Sequence, residues 1–565
     1  MVKMFSAQSD TQSVASVTTA RTSTSRSVSY PLALRVLGLA GLLGILASVF
    51  GLVAGAAGEP TSYVPGRSGG WPGWLSGPLH GLGLGIGSSS FQTLTLVMCA
   101  SYAAVLIATR VLSGRAIALT IVAANLLLLL GPPLISQDVF GYLEFARLGV
   151  LHGLDPYTHV AAEAPTDAVF PFIGWPFQHS PYGPLFTLGS YPLASIGLGG
   201  GLWALKSIAV FSSLGAVALT AVAANRMGRS VKVAAVFVGL NPVLLELAVG
   251  GAHNDTLVLL LLAGALAFAA GSTTLPHARV GQAILNMDER PSGMNSDDRT
   301  IRMSSNDRTI RMSSEDRLVE RTPNLRAAAA LLVVGVGVKA SAGLVLPFVV
   351  LAPTAWRERA RVAAGALAAL VALAIVAVVG FGSQAFGFLG ALGEQQQLIA
   401  THSLPAETAR WIALGGVPTW WRDFFVAGFL LVLVLTLWRT ASGADWRAMA
   451  GWATLALLLS TAWLLPWYAI WALPLAALGD SRRLRIATLV FCAYAILIHL
   501  PLADPLLSPS RHVARHAVYP NGRPIAERLG TRAILLDAHG GALSDDDVVL
   551  AGLEVERHTA FDLRG

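Results

Sequence analysis

Charged residues are scarce in this sequence. Asp, Glu, Lys and Arg make up only 13% of the 565 residues, against about 25% in soluble globular proteins. Hydrophobic residues make up 54%, and they recur as long apolar runs along most of the chain. This composition excludes an ordinary soluble domain. It predicts an all-α polytopic membrane protein, because in lipid each spanning segment must satisfy its own backbone hydrogen bonds.

Cysteine is nearly absent as well. Only Cys99 and Cys492 occur, each within an apolar run, so neither a disulfide framework nor a cysteine-based metal site is predicted. The net charge of +7 does not indicate nucleic-acid binding, because the arginines stand mostly at the ends of apolar runs. There they orient the spans and contact anionic membrane lipids. We predict no cofactor and no nucleic-acid partner.

The alternation of apolar runs with Arg-containing loops predicts about 12–13 transmembrane helices within residues 31–502. Residues 1–30 are rich in Ser and Thr. They are predicted to form a disordered cytoplasmic N-terminus, since the first apolar run is too long for a signal-peptide core. Residues 183–200 are interrupted by Gly and Pro, which favours an interfacial segment. Residues 326–353 must cross an even number of times, which predicts two half-length helices that turn near Lys339.

Two segments stand apart from this apolar pattern. Residues 272–325 are polar and contain the sequence Asp-Arg-Thr-Ile-Arg-Met-Ser-Ser twice, beginning at Asp298 and at Asp307. Two copies of so short a polar repeat cannot bury a core, so we predict a disordered cytoplasmic insertion that carries no chemistry. Residues 503–565 form a C-terminal tail, and the charge rule does not assign a side of the membrane to so long a tail.

Asp138 is the first carboxylate in residues 136–181, the only long loop predicted to lie outside that also has a helix-forming pattern. Residues 139–151 of that loop have a helix-forming pattern. Gln137 or Asp138 could simply cap this helix. Alternatively, the Asp138 carboxylate is a catalytic base at the depth where a lipid phosphate would lie.

A second polar cluster, His253-Asn254-Asp255, separates two apolar runs. Ionisable residues between spans are costly and commonly functional, although Asp255 could also cap the next helix. Lys339 is the only lysine in the stretch 326–353, and it is either a snorkelling side chain or part of the same outer cluster. No HxxxH, HExxH or DxD spacing accompanies His253, so no metal site is predicted.

Taken in order across residues 90–500, the motifs resemble a known family. They are the Asp in the first large outer loop, a Tyr-Gly-Pro-Leu return to the membrane, Asn-Pro before Gly-Gly-Ala-His-Asn-Asp, then Lys-Ala-Ser-Ala, and Trp-Tyr-Ala-Ile-Trp-Ala-Leu-Pro. This set resembles the actinobacterial polyprenol-phosphomannose-dependent α-1,6-mannosyltransferases of the GT-C class. One departure is Asp155-Pro156-Tyr157, where the resemblance leads us to expect Asn-Pro-Tyr.

The resemblance implies an inverting glycosyltransferase, multi-pass in the plasma membrane, with an extracytoplasmic active site. The implied donor is β-linked polyprenyl-phosphate mannose, and the acceptor is a lipid-anchored mannan of the lipomannan type. A phosphate leaving group needs no general acid, whereas an acceptor hydroxyl needs a base. Asp138 fits the base, and Lys339 and His253 are candidates to bind the phosphate. The remaining predicted substrate-binding residues are Tyr142, His179, Tyr182 and Asp255.

Some interpretations remain open from the sequence. His179 is equally well explained as a surface residue. The late aromatic cluster is most simply an interfacial belt, with sugar stacking as the alternative for one member: Trp463, Trp467, Tyr468 and Trp471. Another GT-C transferase such as an arabinosyltransferase, a lipid or sugar transporter, and a non-catalytic scaffold are the competing functions. Transporters usually place polar residues near the bilayer midplane, whereas here the acids lie at span ends on one predicted side.

Deleting residues 286–318 should leave membrane insertion and activity intact, because the repeat-containing insertion carries neither apolar runs nor candidate site residues. The measurements are the amount of protein in the membrane fraction and its mannose transfer. Loss of transfer in a variant that is expressed and inserted at the normal level would contradict this prediction.

Overall fold

The fold is given by a computed structural model, which describes residues 29–58, 72–85, 87–271 and 323–500. The predictions for the N-terminus 1–30, the insertion 272–325 and the tail 503–565 lie outside the described residues, apart from a few positions at their edges.

The described residues form helices joined by turns and loops, with no strand among them. The α-helices are α1 (Ser29–Gly58), α2 (Gly73–Ser76), α3 (Ser88–Ala108), α4 (Gly114–Leu129), α5 (Asp138–Leu151), α6 (Pro184–Ser190), α7 (Gly197–Arg226), α8 (Val231–Gly239), α9 (Asp255–Ala269), α10 (Leu325–Val338), α11 (Leu346–Leu351), α12 (Trp356–Phe381), α13 (Gly387–Gln395), α14 (Leu404–Trp411), α15 (Thr419–Ala441), α16 (Trp446–Ser460), α17 (Leu473–Leu478) and α18 (Arg482–His499). A π-helix covers Val243–Val249. The 3₁₀ helices are Pro78–Leu82, Ala161–Glu163, Phe170–Phe172, Tyr191–Ile196, Ala340–Val345, Gly382–Gln384 and Pro466–Ala472.

Five helical stretches among the described residues are long and apolar enough to cross a membrane. They are Leu32–Gly58, Ser89–Ala108, Pro184–Arg226, Trp356–Gln384 and Thr419–Ala441. A sixth candidate is α8 with the π-helix, which are bent by 44° at the break between them. These spans confirm the all-α polytopic membrane fold. The long spans are nevertheless fewer than the 12–13 predicted, because several predicted spans are shorter or broken helices.

The segment 183–200, which is predicted to be interfacial, forms α6, a 3₁₀ turn and the start of α7. It is continuous with one candidate span of 43 residues. The predicted turn near Lys339 is confirmed, since α10 ends at Val338 and Lys339 has an extended backbone with φ −154° and ψ 130°.

The least buried spans are α12 and α15, in which 17% and 11% of the most apolar window is buried, against 44% in α1. Their outward side chains are apolar and exposed, such as Val379 at 82% and Leu431 at 61%. In a membrane protein such faces are accommodated by lipid rather than by water. These two helices therefore lie at the periphery. The breaks between helices that contain the polar residues lie among the better buried helices.

Three helix breaks are each held by contacts with a neighbouring segment. The loop before α5 is tied to the turn before α9, because the Leu134 N–H donates to the Gly250 carbonyl at 2.9 Å. The break after α10 is tied to the start of α6, because the Gly183 N–H donates to the Val338 carbonyl at 3.0 Å. The third break precedes the 3₁₀ helix Pro466–Ala472, which packs against the π-helix and α9. Irregular backbone is thereby paired within the protein, as burial in a membrane protein requires.

Gly183 makes a close backbone contact at the break after α10. A Cβ at this position would lie 2.4 Å from the Gly337 carbonyl oxygen, so Gly183→Ala should push the Lys339 break outward and destabilise the protein by about 1–3 kcal/mol. Gly189→Ala in the same helix is the matched control, because its Cβ would meet nothing within 4 Å. It should be neutral or stabilising by about 0.5–1 kcal/mol. Thermal unfolding in detergent measures the stability of both variants. Equal unfolding temperatures would contradict the prediction that position 183 has no room for a side chain.

Candidate active site

Asp138 is the first residue of α5, and its side chain turns away from the helix. Gln137 occupies the N-cap position without a side-chain cap, and the Ser136 hydroxyl accepts a hydrogen bond from the Asp138 N–H at 3.1 Å. The Asp138 Oδ2 atom instead lies 3.3 Å from Nδ1 of His253. The interpretation of Gln137 as the N-cap residue is thus correct in position, but neither Gln137 nor Asp138 caps the helix through its side chain.

His253 is completely buried behind Asp138. Its ring stacks on Trp467 with the ring centroids 3.8 Å apart. A Cβ at Gly251 would lie 2.5 Å from Nε2 of this ring, so the absence of a side chain there makes room for it. His253 lines neither of the cavities described below. Its position makes it a partner that holds Asp138 in place and favours the ionised carboxylate, rather than a group that touches a ligand.

Asp255 and Lys339 form the second ion pair. Asp255 is completely buried, and its two oxygens accept from the Lys339 ammonium at 3.0 and 2.9 Å. The Trp471 indole N–H also donates to Asp255 at 2.8 Å. The Lys339 ammonium lies 4.4 Å from the ring centroid of Tyr468, within the range of a cation–π contact. Lys339 is thus fixed by its neighbours and is not a snorkelling side chain.

The predicted Tyr142 lies beneath the site. It is 1% exposed, and its ring packs edge-on against Tyr182 at 5.0 Å. Its hydroxyl accepts a hydrogen bond from the Asn254 N–H at 3.2 Å. Tyr142 therefore braces the turn between His253 and Asp255, and it does not reach the cavity surface.

Two cavities meet at Asp138. The larger has an empty volume of about 1180 Å³ including its mouth, and the smaller about 730 Å³. Asp138, Trp175 and Leu465 line both. The larger cavity is also lined by Gly141, Glu144, Phe145, His179, Tyr182, Lys339, Trp463, Tyr468 and Trp471. The smaller is also lined by Ser136, Gln137, Thr401, His402, Trp467 and His499.

The late aromatic residues are not an interfacial belt, and that interpretation is wrong. Trp463, Trp467, Tyr468 and Trp471 are all less than 10% exposed. They pack inward on the two ion pairs and on the cavity walls. The Trp471 indole N–H donates to Asp255, the Trp467 ring stacks on His253, and the Tyr468 ring contacts the Lys339 ammonium. Trp175 meets Trp463 edge-on at 5.5 Å, so both indoles line the larger cavity together.

His179 and Tyr182 both line the larger cavity. Nδ1 of His179 is 2.9 Å from a carboxylate oxygen of Glu394, which stands at the end of α13. This contact joins the chain's return to the membrane with the loop that follows α12. His179 is thus tied into the rim of the cavity.

Asp138 is kept ionised by its surroundings. Burial alone would raise the pKa of its carboxyl, but the neighbouring His253 and the Lys339 ammonium outweigh burial and hold the pKa below its usual value. The carboxylate therefore carries its charge throughout the neutral range and can accept a proton from a hydroxyl. Within the described residues, no three His, Cys, Asp or Glu side chains cluster as a metal site would require.

Sequence reasoning missed Glu144. It lines the larger cavity on the same face of α5 as Asp138, Gly141 and Phe145. The signal was available, because positions three, six and seven residues beyond Asp138 share one face of a helix. Its environment raises the pKa of its carboxyl to about 8, chiefly through burial and secondly through the nearby negative charge of Asp167.

The loops next to Asp138 and His253 contain residues with unusual backbone dihedral angles. Ile135, three residues before Asp138, has φ +76°, and Ala252, next to His253, has φ +54°. Non-glycine residues in this left-handed region cost about 1–3 kcal/mol each and cluster at functional sites. The two positions flank the contact between Asp138 and His253, and the surrounding hydrogen bonds hold them there.

Comparison with known proteins places the sequence in a family. A family model described as alpha-(1->6)-mannopyranosyltransferase, N-terminal domain, matches residues 35–355, which is more than half of the chain. A second model, described as MptB C-terminal domain, matches residues 416–519.

Individual relatives share about a quarter of their residues with the chain. Alpha-(1->6)-mannopyranosyltransferase A of Mycobacterium tuberculosis is 26% identical over 427 residues, covering 69% of this chain and 72% of the relative. A probable alpha-(1->6)-mannopyranosyltransferase of Mycolicibacterium smegmatis is 27% identical over 406 residues, covering 64% of this chain and 65% of the relative. No solved structure is significantly similar. The family matches confirm the resemblance drawn from the motifs: the chain belongs to the alpha-(1->6)-mannopyranosyltransferase family of membrane glycosyltransferases.

Proposed function

We propose that the protein transfers mannose from polyprenyl-phosphate mannose to a lipid-anchored mannan acceptor of the lipomannan type. The transfer forms an α-1,6 linkage with inversion, at the extracytoplasmic face of the plasma membrane. The names of the relatives support the sugar and the linkage. The single observation that carries the mechanism is that Asp138 lies in the wall shared by two cavities, one of which contains Lys339.

Asp138 is the proposed base. The acceptor hydroxyl is a poor nucleophile near neutral pH, so its proton must pass to a positioned carboxylate as the new bond forms. His253 positions Asp138 from behind and holds it ionised, without touching either substrate. The acceptor oxygen attacks the anomeric carbon as the bond to the phosphate oxygen breaks, which converts a β-linked donor into an α-linked product.

Lys339 is the proposed phosphate ligand. The leaving phosphate departs as an anion and requires cationic stabilisation rather than a general acid. The Lys339 side chain is 14% exposed and lines the larger cavity, while the completely buried Asp255 fixes it from behind. This role was also proposed for His253, but the buried ring stands behind Asp138, and we assign the phosphate contact to Lys339 alone.

The two cavities suggest one substrate each. The larger contains the cation and suits the donor, with His179 and Tyr182 at its wall. The smaller contains polar groups, among them Gln137, and suits the acceptor sugar. Since Asp138 faces both, the base stands between the reacting groups. This arrangement supports group transfer, because the transfer requires a base that reaches the acceptor hydroxyl beside the donor.

Asp138→Asn should reduce mannose transfer by about 100-fold or more, because the amide keeps the shape of the carboxylate but cannot accept the proton. Asp155→Asn is the matched control. Asp155 lies in the same loop outside both cavities and accepts a hydrogen bond from the Tyr157 N–H at 2.9 Å, which an Asn oxygen also accepts. The measurement is transfer of radiolabelled mannose from polyprenyl-phosphate mannose to a lipid mannoside. Full activity of the Asp138→Asn variant would contradict the proposed mechanism.

Lys339→Met should destabilise the protein, because it leaves the Asp255 carboxylate buried without its cation, at a cost of up to about 3–5 kcal/mol. The double variant Lys339→Met with Asp255→Asn should recover most of that stability, since no buried charge remains unpaired. It should not recover mannose transfer, because the phosphate ligand is still missing. Unfolding temperature and transfer are measured on all three variants together with Asp255→Asn, and restored transfer in the double variant would remove Lys339 from the mechanism.

A further inference from the structure

Glu144 is the one carboxyl in the larger cavity to which the mechanism gives no task. It is 1% exposed, and neither of its two oxygens has a hydrogen-bond partner among the described residues. A buried polar group without a partner costs about 1–3 kcal/mol. Because Glu144 lines the cavity that contains Asp138 and Lys339, a ligand in that cavity would supply the partner that the protein does not.

The neighbouring cation is already committed elsewhere. Arg147 lies one helical turn beyond Glu144, but its Nε donates to Asp167 at 2.7 Å. His152 contacts the other oxygen of Asp167, also at 2.7 Å. Arg147 is thus paired with another acid. Burial and the nearby charge of Asp167 outweigh the attraction of Arg147, raise the pKa of the Glu144 carboxyl and favour its neutral form.

A neutral carboxyl differs chemically from the ionised Asp138 in the same cavity. It carries one O–H donor and keeps acceptor capacity, so it can exchange hydrogen bonds with a hydroxyl group in either direction. Sugar hydroxyls are both donors and acceptors and can use both functions of the neutral carboxyl, whereas the oxygens of an ionised phosphate only accept. The apolar and aromatic surroundings, Phe145, Trp175 and Trp463, suit the carbon faces of a sugar ring.

We propose that Glu144 binds a hydroxyl group of the mannosyl unit of the donor and so determines which sugar the larger cavity accepts. The proposal rests on the proposed function, since it takes the larger cavity to hold the donor. Glu144 acts by hydrogen bonding and takes no part in the proton transfer at Asp138.

Glu144→Leu and Glu144→Gln separate this role from a structural one. Leu removes an unpartnered buried polar group at similar volume, so the protein should unfold at the same or a higher temperature. The KM for polyprenyl-phosphate mannose should nevertheless rise about tenfold to a hundredfold, with a smaller change in kcat. Gln keeps a donor and an acceptor and should retain a KM near that of the wild type. A Gln variant as impaired as the Leu variant, or a Leu variant with unchanged KM, would overturn the proposal.

Glu246→Gln is the matched control. Glu246 is also a 1% exposed glutamate, but it accepts a hydrogen bond from the Thr95 hydroxyl and lines neither cavity. Its substitution should leave the KM for the donor unchanged. A panel of monodeoxy mannosyl donors adds a second test. The wild type should discriminate against one analogue, and Glu144→Leu should lose that discrimination because the hydroxyl no longer has a partner to lose.

The pH profile provides a readout that a structural residue would not change. With a pKa raised to about 8, the carboxyl is neutral below that pH and becomes charged above it. The KM of the wild type for the donor should therefore rise above about pH 8, while that of Glu144→Gln stays flat. The other charged groups around the cavity and α5 are the same in both proteins, so the difference between the two pH profiles reports Glu144. These groups are Asp138, Arg147, His152, Asp167, His179, Lys339 and Glu394.

The two hypotheses fail in different ways. Absence of donor binding and of transfer in the wild type, measured with radiolabelled polyprenyl-phosphate mannose, would overturn the proposed function. Normal transfer by the wild type with the same donor KM in Glu144→Leu would overturn only the role of Glu144. A rise confined to the KM for the acceptor would also overturn it, because the hydroxyl would then belong to the other substrate.

Discussion

The site depends on one turn that buries two ionisable side chains. His253 and Asp255 are both fully excluded from water, and an ionisable group is tolerated there only with a well-placed partner. Asp255 pairs with Lys339 and the Trp471 indole N–H, and His253 contacts Asp138. The buried Asp255 thereby fixes Lys339, and the buried His253 fixes Asp138. Both cavity-lining side chains are therefore positioned by the same short stretch of backbone.

The helix breaks follow from this arrangement. A continuous helix through Lys339 would carry its backbone past the cavity, whereas the extended residue between α10 and the following 3₁₀ helix brings the ammonium to Asp255. Broken helices are tolerated in membrane proteins where the freed backbone groups find partners inside the protein or line a cavity. Gly183, Leu134 and Gly250 provide those partners for two of the breaks.

Much of this could be read from the sequence, and the failures have physical causes. Composition was sufficient for the helical membrane fold, and parity of the basic loops placed a turn at Lys339. Charge alternation counts crossings but does not measure how straight a helix is, so it did not reveal the 44° break between α8 and the π-helix. Hydropathy does not say which way a Trp faces, so Trp467 and Trp471 were assigned to lipid rather than to His253 and Asp255. The burial of His253 behind Asp138 depends on long-range packing that no local pattern encodes.

The position of Asp138 between two cavities has a consequence for side reactions. Under the proposed chemistry, the carboxylate cannot distinguish a sugar hydroxyl from a water molecule by proton affinity alone. When the smaller cavity holds no acceptor, water reaches the same carboxylate, and the donor would be hydrolysed instead of transferred. The yield of glycan per donor consumed is then set by how completely the acceptor fills the smaller cavity. The aromatic side chains that narrow it, among them Trp467, thus limit wasteful hydrolysis as well as shaping the wall.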